Sequence, residues 1–212
     1  MTKLTGQADS KLEPDSVSEL QARYSTEQFY LATCDVGLGL FANRDISPGE
    51  RILRIEGPLI DFAETKRRGP RECMAIQIGY DTYIDTQAPG VFVNHSCDPN
   101  SGIRANHDLV ALREIRKGQE IRFDYSTTME EQSFTMQCLC GAPECRKIVS
   151  DFSTLPRQVQ DRYILQGIVM RFILNRPTAV PNPRALRDFP IAVPELPRPA
   201  WQPTAQNGYA VA

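Results

Sequence analysis

Three of the six cysteines fall in Cys138-x-Cys140-x4-Cys145, beside Gly141 and Pro143. Thiols packed this closely suit Zn²⁺, which takes soft donors in a four-fold tetrahedral arrangement. Three local sulfurs leave one position to be filled from a distance. Cys97, in the polar segment Asn94-His95-Ser96-Cys97-Asp98-Pro99-Asn100, is the natural candidate. Cys34 and Cys73 stand in apolar contexts and read as small core residues. The spacing is not the C-x2-C knuckle of common zinc fingers, and six unrelated buried thiols is the competing reading.

Gly37-Leu38-Gly39-Leu40-Phe41-Ala42 fits the dinucleotide fingerprint G-x-G-x-x-G/A and follows a predicted strand. Such a site needs a helix to open there, so that its N-terminus faces the pyrophosphate. Instead, Asn43-Arg44-Asp45-Ile46-Ser47-Pro48-Gly49 turns into another strand, so the fingerprint fails. The glycines either admit a ligand close to the backbone or shape a hairpin. Taken alone, Asn94–Asn100 is a turn around Asp98-Pro99-Asn100 with a hydrogen-bonded loop histidine. Gly118 to Tyr125 is a turn feeding a strand whose Phe123 and Tyr125 share a face, as core aromatics would.

The elements that must position these residues are mostly short strands. Phe29–Thr33, Ile52–Ile55, Ala75–Ile78, Thr82–Ile84, Val91–Val93, Leu109–Leu112 and Ile121–Tyr125 are rich in β-branched and aromatic residues. Glycine and proline turns separate them, which predicts an irregular, mostly β domain. Residues 1–23 form a polar extension with a short helix over VSELQARY capped by Asp15. The charge run from Glu64 to Cys73 reads as a solvated helix or loop. Pro156 to Asn175 carries apolar residues at helical spacing, which predicts a packed C-terminal helix. Beyond it, 177–212 holds 8 of the 16 prolines and the single Trp201, an extended tail.

Composition narrows the function classes. At 212 residues and 41% hydrophobic the chain can bury one proper core. With 24 basic against 26 acidic residues it lacks the electropositive surface of a general nucleic-acid binder. Ile164 to Leu174 is its best apolar stretch, and Gln166 and Arg171 interrupt it, so no membrane span is expected. The first residues, MTKLTGQADSKLEPDS, lack an apolar signal core, so an intracellular protein is expected, cytoplasmic or nuclear, with its cysteines unpaired.

Taken in order, GLGLFANRDISPGE (37–50), YIDT (83–86), VFVNHSCDPN (91–100), ALREIRKGQEIRFDY (111–125) and CLCGAPECRK (138–147) resemble the SET-domain protein-lysine methyltransferases that carry a post-SET zinc motif. The resemblance covers about Tyr24 to Val149. It implies a SET domain over 24–126, a post-SET zinc motif over 134–150 and a C-terminal helix within 151–176. The implied fold has short curled sheets, with the Asn94–Cys97 segment and the strand ending at Tyr125 forming a pseudoknot. It also implies S-adenosylmethionine as methyl donor, beside Gly37, Leu38, Gly39, Phe92, Asn94, His95 and Tyr125. Cys97, Cys138, Cys140 and Cys145 would hold one structural Zn²⁺. Tyr125 matches the catalytic tyrosine, and Phe123, Ile55 and Tyr83 would line the channel for the substrate lysine, the partner being a protein or peptide such as a histone.

Two positions depart from the family pattern. Ile55 stands where a channel tyrosine is common, and Val91 where an arginine is common. Tyr80 or Tyr83 could supply the missing hydroxyl. Phe123, in place of tyrosine, leaves room for more than one methyl. The alternative to an active enzyme is a SET-like interaction module that has lost turnover.

Overall fold

A computed structural model describes residues 16–175, so the expectations for residues 1–15 and for the proline-rich tail lie outside the described residues. The chain opens with α1 (Val17–Tyr24), whose N-cap is Ser16 and not the predicted Asp15. The Ser16 hydroxyl accepts from the Glu19 N–H while the Glu19 carboxylate accepts from the Ser16 N–H, a reciprocal capping box.

Two strands follow, β1 (Phe29–Cys34) and β2 (Gly37–Ala42), paired antiparallel from Phe29↔Ala42 to Cys34↔Gly37. The glycine-rich segment is therefore one arm of a hairpin. Leu31, Leu38, Leu40 and Ala42 from the two arms are buried. β3 (Arg51–Arg54), β8 (Ser101–Arg104) and β9 (Asp108–Ala111) make a sheet in the order β3-β9-β8. A second sheet, β4-β6-β5, joins β4 (Leu59–Ile60), β5 (Ala75–Gly79) and β6 (Thr82–Asp85). Between β4 and β5 lie α2 (Phe62–Arg67) and a 3-10 turn, Gly69–Met74, so the predicted charge run is helical, with Glu64 pairing to Arg67 and Arg68.

Two very short strands make the connection on which the site depends. β7 (Asn94–His95) and β10 (Arg122–Phe123) run parallel, Asn94 opposite Arg122 and His95 opposite Phe123. The pairing brings together the two segments that the expected pseudoknot would join. A last pair, β11 (Met136–Gln137) and β12 (Ile148–Val149), brackets the cysteine segment. Leu40, Ile46, Ile55, Leu109, Ala111, Ile115 and Ile121 are all fully buried in the core between the sheets.

Three predicted elements need correction. Val91–Val93 is not a strand; Gly90–Phe92 is a 3-10 turn, closed by Phe92 N–H to Pro89 O and Val93 N–H to Gly90 O. Burial rather than strand pairing accounts for its apolar residues, since Phe92 and Val93 are both core. The strand expected over 121–125 ends at Phe123, because Asp124 caps a 3-10 turn over Tyr125–Thr128 through the Ser126 N–H. The C-terminal helix is two helices, α3 (Arg157–Gln166) and α4 (Arg171–Leu174). Gly167 breaks it by adopting φ 68°, a left-handed conformation that glycine takes without Cβ strain.

The segment after that break docks tightly on β8. A Cβ on Gly102 would lie 2.6 Å from Ile168 Cγ2 and 2.9 Å from its Cβ. Gly102→Ala should therefore cost about 1–3 kcal/mol through overpacking. Urea unfolding would show this as a lowered midpoint with an unchanged slope.

Candidate functional site

The paired strands β7 and β10 bring three sets of side chains together. The first surrounds Asn94, which is 1% exposed. Its Nδ2 donates to Glu120 Oε1 at 2.8 Å and to the Leu38 carbonyl at 3.1 Å, and lies 3.4 Å from Cys34 Sγ. Its Oδ1 is buried, with no hydrogen-bond partner among the described residues. A buried acceptor left bare costs about 1–3 kcal/mol, so the site fits a ligand carrying a donor. Gly39 lies against the same groups: a Cβ there would meet Glu120 Oε1 at 2.6 Å and Asn94 Nδ2 at 3.2 Å. Its close backbone approach is the reason for glycine. Phe92 is buried with its ring 6.1 Å from that of Tyr24.

The second set centres on Tyr125. Its hydroxyl donates to the Val93 carbonyl at 2.9 Å, and its backbone N–H donates to His95 Nδ1 at 3.3 Å. Burial pushes the phenol far above its usual range, so it stays protonated. Its ring packs 4.8 Å from Phe123, a contact made from the 3-10 turn and not by strand alternation. Val93, Phe123, Tyr125 and Tyr83 line one cavity of about 660 Å³, counting the space open at its mouth. Ile55, expected in the channel, is not among its lining residues. It is fully buried, and its side chain and backbone pack where a Cβ on Gly90 would fall. Cys73, read as a core residue, lines the cavity instead, as do Glu72 and Glu131. No spacing in the sequence pointed to these three.

The third set is the cysteines, all of them unpaired. Cys97, Cys138 and Cys140 place their sulfurs, with a His95 ring nitrogen, within 4.8 Å of one another. Cys145, the fourth expected ligand, lies outside this group; its thiol donates to the Cys138 carbonyl at 3.8 Å. Backbone N–H groups already face the sulfurs, Cys97 N–H to Cys140 at 3.5 Å and Arg146 N–H to Cys97 at 3.4 Å. Burial raises the thiols of Cys97 and Cys138. It opposes ionisation of Cys140 as well, but the N–H groups of Cys97 and Ala142 and the neighbouring thiols bring that group down to about 7. This donor set fits zinc.

The fourth member of the group is thus a histidine in place of the expected Cys145. Burial lowers His95 to about 4, so the ring is neutral. Because Nδ1 accepts from the Tyr125 N–H, the ring proton belongs on Nε2, which lies 3.3 Å from Cys97 Sγ. His95 thus acts as a donor to the sulfur, a supporting role, and three sulfurs of the group remain. Arg146, next to Cys145, ties this segment to the rest: it donates to buried Asp124 at 2.8 Å, and Tyr163 of α3 donates to the other Asp124 oxygen at 2.9 Å.

Comparison with known proteins places this geometry. Residues 37–126 match the family described as SET domain. It is 33% identical over 138 residues to histone-lysine N-methyltransferase trr of Drosophila melanogaster, across 56% of this chain and 6% of that protein. It is 31% identical over 130 residues to human histone-lysine N-methyltransferase 2B, across 54% of this chain and 5% of that protein. The variant-silencing SET domain-containing protein of Plasmodium falciparum is 35% identical over 130 residues, 51% of this chain and 5% of its own length. The chain thus spans only a small part of these relatives. Among the described residues no helix is long and apolar enough to cross a membrane.

Metal analysis of the purified chain should find about one Zn²⁺ per molecule. Cys140→Ser and Cys145→Ser should each lower that content and the melting temperature, whereas His95→Asn, which keeps an acceptor for the Tyr125 N–H, should retain the metal. A folded, zinc-free wild type would overturn the assignment.

Proposed function

We propose that the chain is an S-adenosylmethionine-dependent protein-lysine N-methyltransferase. One observation carries the reading: β7 holds a bare buried acceptor, Asn94 Oδ1, while the carbonyl just before that strand receives the hydroxyl of Tyr125, which lines the cavity. A cofactor pocket and an acceptor cavity would thus meet across a single strand. The names of the relatives support the same activity.

Gly37, Leu38, Gly39, Phe92, Asn94, His95 and Tyr125 would hold the cofactor, with Asn94 Oδ1 available to its amino group. Bound there, S-adenosylmethionine offers a methyl on a cationic sulfur that a neutral amine can attack. The residues of this chain supply position rather than strong base chemistry, since in-line transfer requires amine, methyl and sulfur to be collinear. Tyr125 gives its proton to Val93 and keeps oxygen lone pairs, which can accept weak C–H···O contacts. The apolar wall of Phe123 and Val93 strips water from the amine and so favours its neutral form. Cys97, Cys138, Cys140 and Cys145 would hold one Zn²⁺ that fixes the segment closing the site.

The substrate is a protein lysine, with a histone the reading the relatives favour, which would place the protein in the nucleus. Neither nucleic acid nor membrane is required. Label from S-adenosylmethionine should appear on core histones incubated with the full chain, and Tyr125→Phe should lower transfer by about a hundred-fold through lost positioning. Phe123→Tyr should restrict the product to monomethyl-lysine by mass spectrometry, where the wild type proceeds to di- or trimethyl. A wild type that binds the cofactor and labels nothing, in core histones or in a cell lysate, would instead make it an interaction module.

A further inference from the structure

The cavity contains a polar pair that the reading above leaves without a task. Tyr83 on β6 and Glu131, just past the turn that follows Tyr125, are 3% and 8% exposed, and both line the cavity. The Tyr83 hydroxyl donates to Glu131 Oε2 at 2.5 Å. A contact that short is characteristic of a hydroxyl bonded to a carboxylate. The glutamate is held in place by its backbone. Its N–H donates to Asp151 Oδ1 at 3.2 Å and the Gln132 N–H to Asp151 Oδ2 at 2.8 Å. On the other side, the Glu130 N–H donates to Gln77 Oε1 and its carboxylate accepts from the Ser153 N–H.

A lysine side chain reaches such a cavity as an ammonium, since its ordinary pKa is about 10.4. It must lose a proton before its nitrogen can attack carbon. Tyr125 cannot relay that proton, because its hydroxyl donates to the Val93 carbonyl, and an amide carbonyl is too weak a base to take a proton on. Cys73 is a thiol pushed up by burial, and Glu72 is paired with Lys66. Glu131 is the cavity carboxylate joined directly to a cavity hydroxyl.

Building on the methyltransferase reading, we propose that the Tyr83–Glu131 pair receives the substrate ammonium and removes its proton before methyl transfer. One lysine N–H bond breaks as its proton moves to Tyr83 Oη, and the Tyr83 O–H bond breaks as that proton passes to Glu131 Oε2. The products are a neutral amine, a restored tyrosine hydroxyl and a neutral carboxylic acid, which then releases the proton to solvent. Tyr83 is the residue that meets the amine, and Glu131 acts through it as a positioning residue. The titratable and charged groups around the pair are Glu130 and Asp151 on its own side, and Glu72 with Lys66, Cys73 and Tyr125 across the cavity. Asp151, which does not line the cavity, is raised to about 6 by its burial and by the charges of Glu130 and Glu131; the carboxylates of the lining are Glu72 and Glu131. An acidic wall also favours lysine over a neutral side chain of equal length.

The test compares the full-length wild type with Glu131→Gln and Tyr83→Phe. Turnover on core histones would be followed across pH, and n-butylammonium binding to the cavity by saturation-transfer NMR. Glu131→Gln keeps a hydrogen bond to Tyr83, so a purely structural role would leave the pH profile unmoved. The expected result is a kcat about a hundred-fold lower near pH 7 with little change in KM, recovering as the pH approaches about 10. The n-butylammonium signal should weaken in the same variant. A Glu131→Gln enzyme that follows the wild-type pH profile, or that binds n-butylammonium equally well, would overturn the proposal. A wild type that binds n-butylammonium through Glu131 yet transfers no methyl would sustain the pair as an ammonium acceptor and remove the methyltransferase reading instead.

Discussion

Everything functional in this molecule hangs on two residues of parallel strand pairing. The register that sets Asn94 opposite Arg122 and His95 opposite Phe123 is too short to stand alone. Side chains lengthen it. Asn100 donates to the Glu120 carbonyl and accepts from the Arg122 N–H, while Ser101 donates to the Arg122 carbonyl. The Ser96 N–H reaches the Phe123 carbonyl and the Tyr125 N–H reaches His95. Buried polar side chains therefore do here what a longer ladder would do elsewhere, and every donor they satisfy fixes the relative placement of Asn94, Tyr125 and the cysteines.

That arrangement explains why a segment of only seven residues, 94–100, serves three purposes. Asn94 faces the hairpin, His95 supports both the tyrosine backbone and a sulfur, and Cys97 belongs to the cysteine group. Strand alternation cannot distribute residues that way over so short a span. The tight Ser96–Asp98 turn can, since the Ser96 hydroxyl accepts from the Asp98 N–H.

Much of this was legible in the sequence, and the reasons differ by element. The dinucleotide fingerprint could be dismissed because no helix followed Gly39, with a hairpin left as one of two readings of the glycines, and the thiol cluster could be read because three cysteines fall within one short segment. The order of the motifs along the chain gave the resemblance to SET-domain proteins, and residues 37–126 match that family. What could not be read were features decided by distant contacts. Val91 and Val93 have strand-like side chains, but the turn at Gly90 and burial against the core determine their backbone. Ile55 looked like a channel residue by its place in a motif, yet it packs beneath Gly90. Glu131 and Tyr83 are far apart in sequence, and no local periodicity announces a bond between them. The split of the C-terminal helix depended on one glycine whose φ the apolar spacing ignores.

Asp124 gives the last lesson. It is fully buried and holds Arg146 with one carboxylate oxygen and Tyr163 with the other. Stripping either partner from a buried carboxylate leaves an unmet charge or lone pair, and for the arginine the cost is about 3–5 kcal/mol. The cysteine segment and the C-terminal helix are therefore not interchangeable appendages. Grafting either one from another protein would succeed only if the graft brought its own partner for this aspartate, so β10, the cysteine segment and α3 are tied together through one carboxylate.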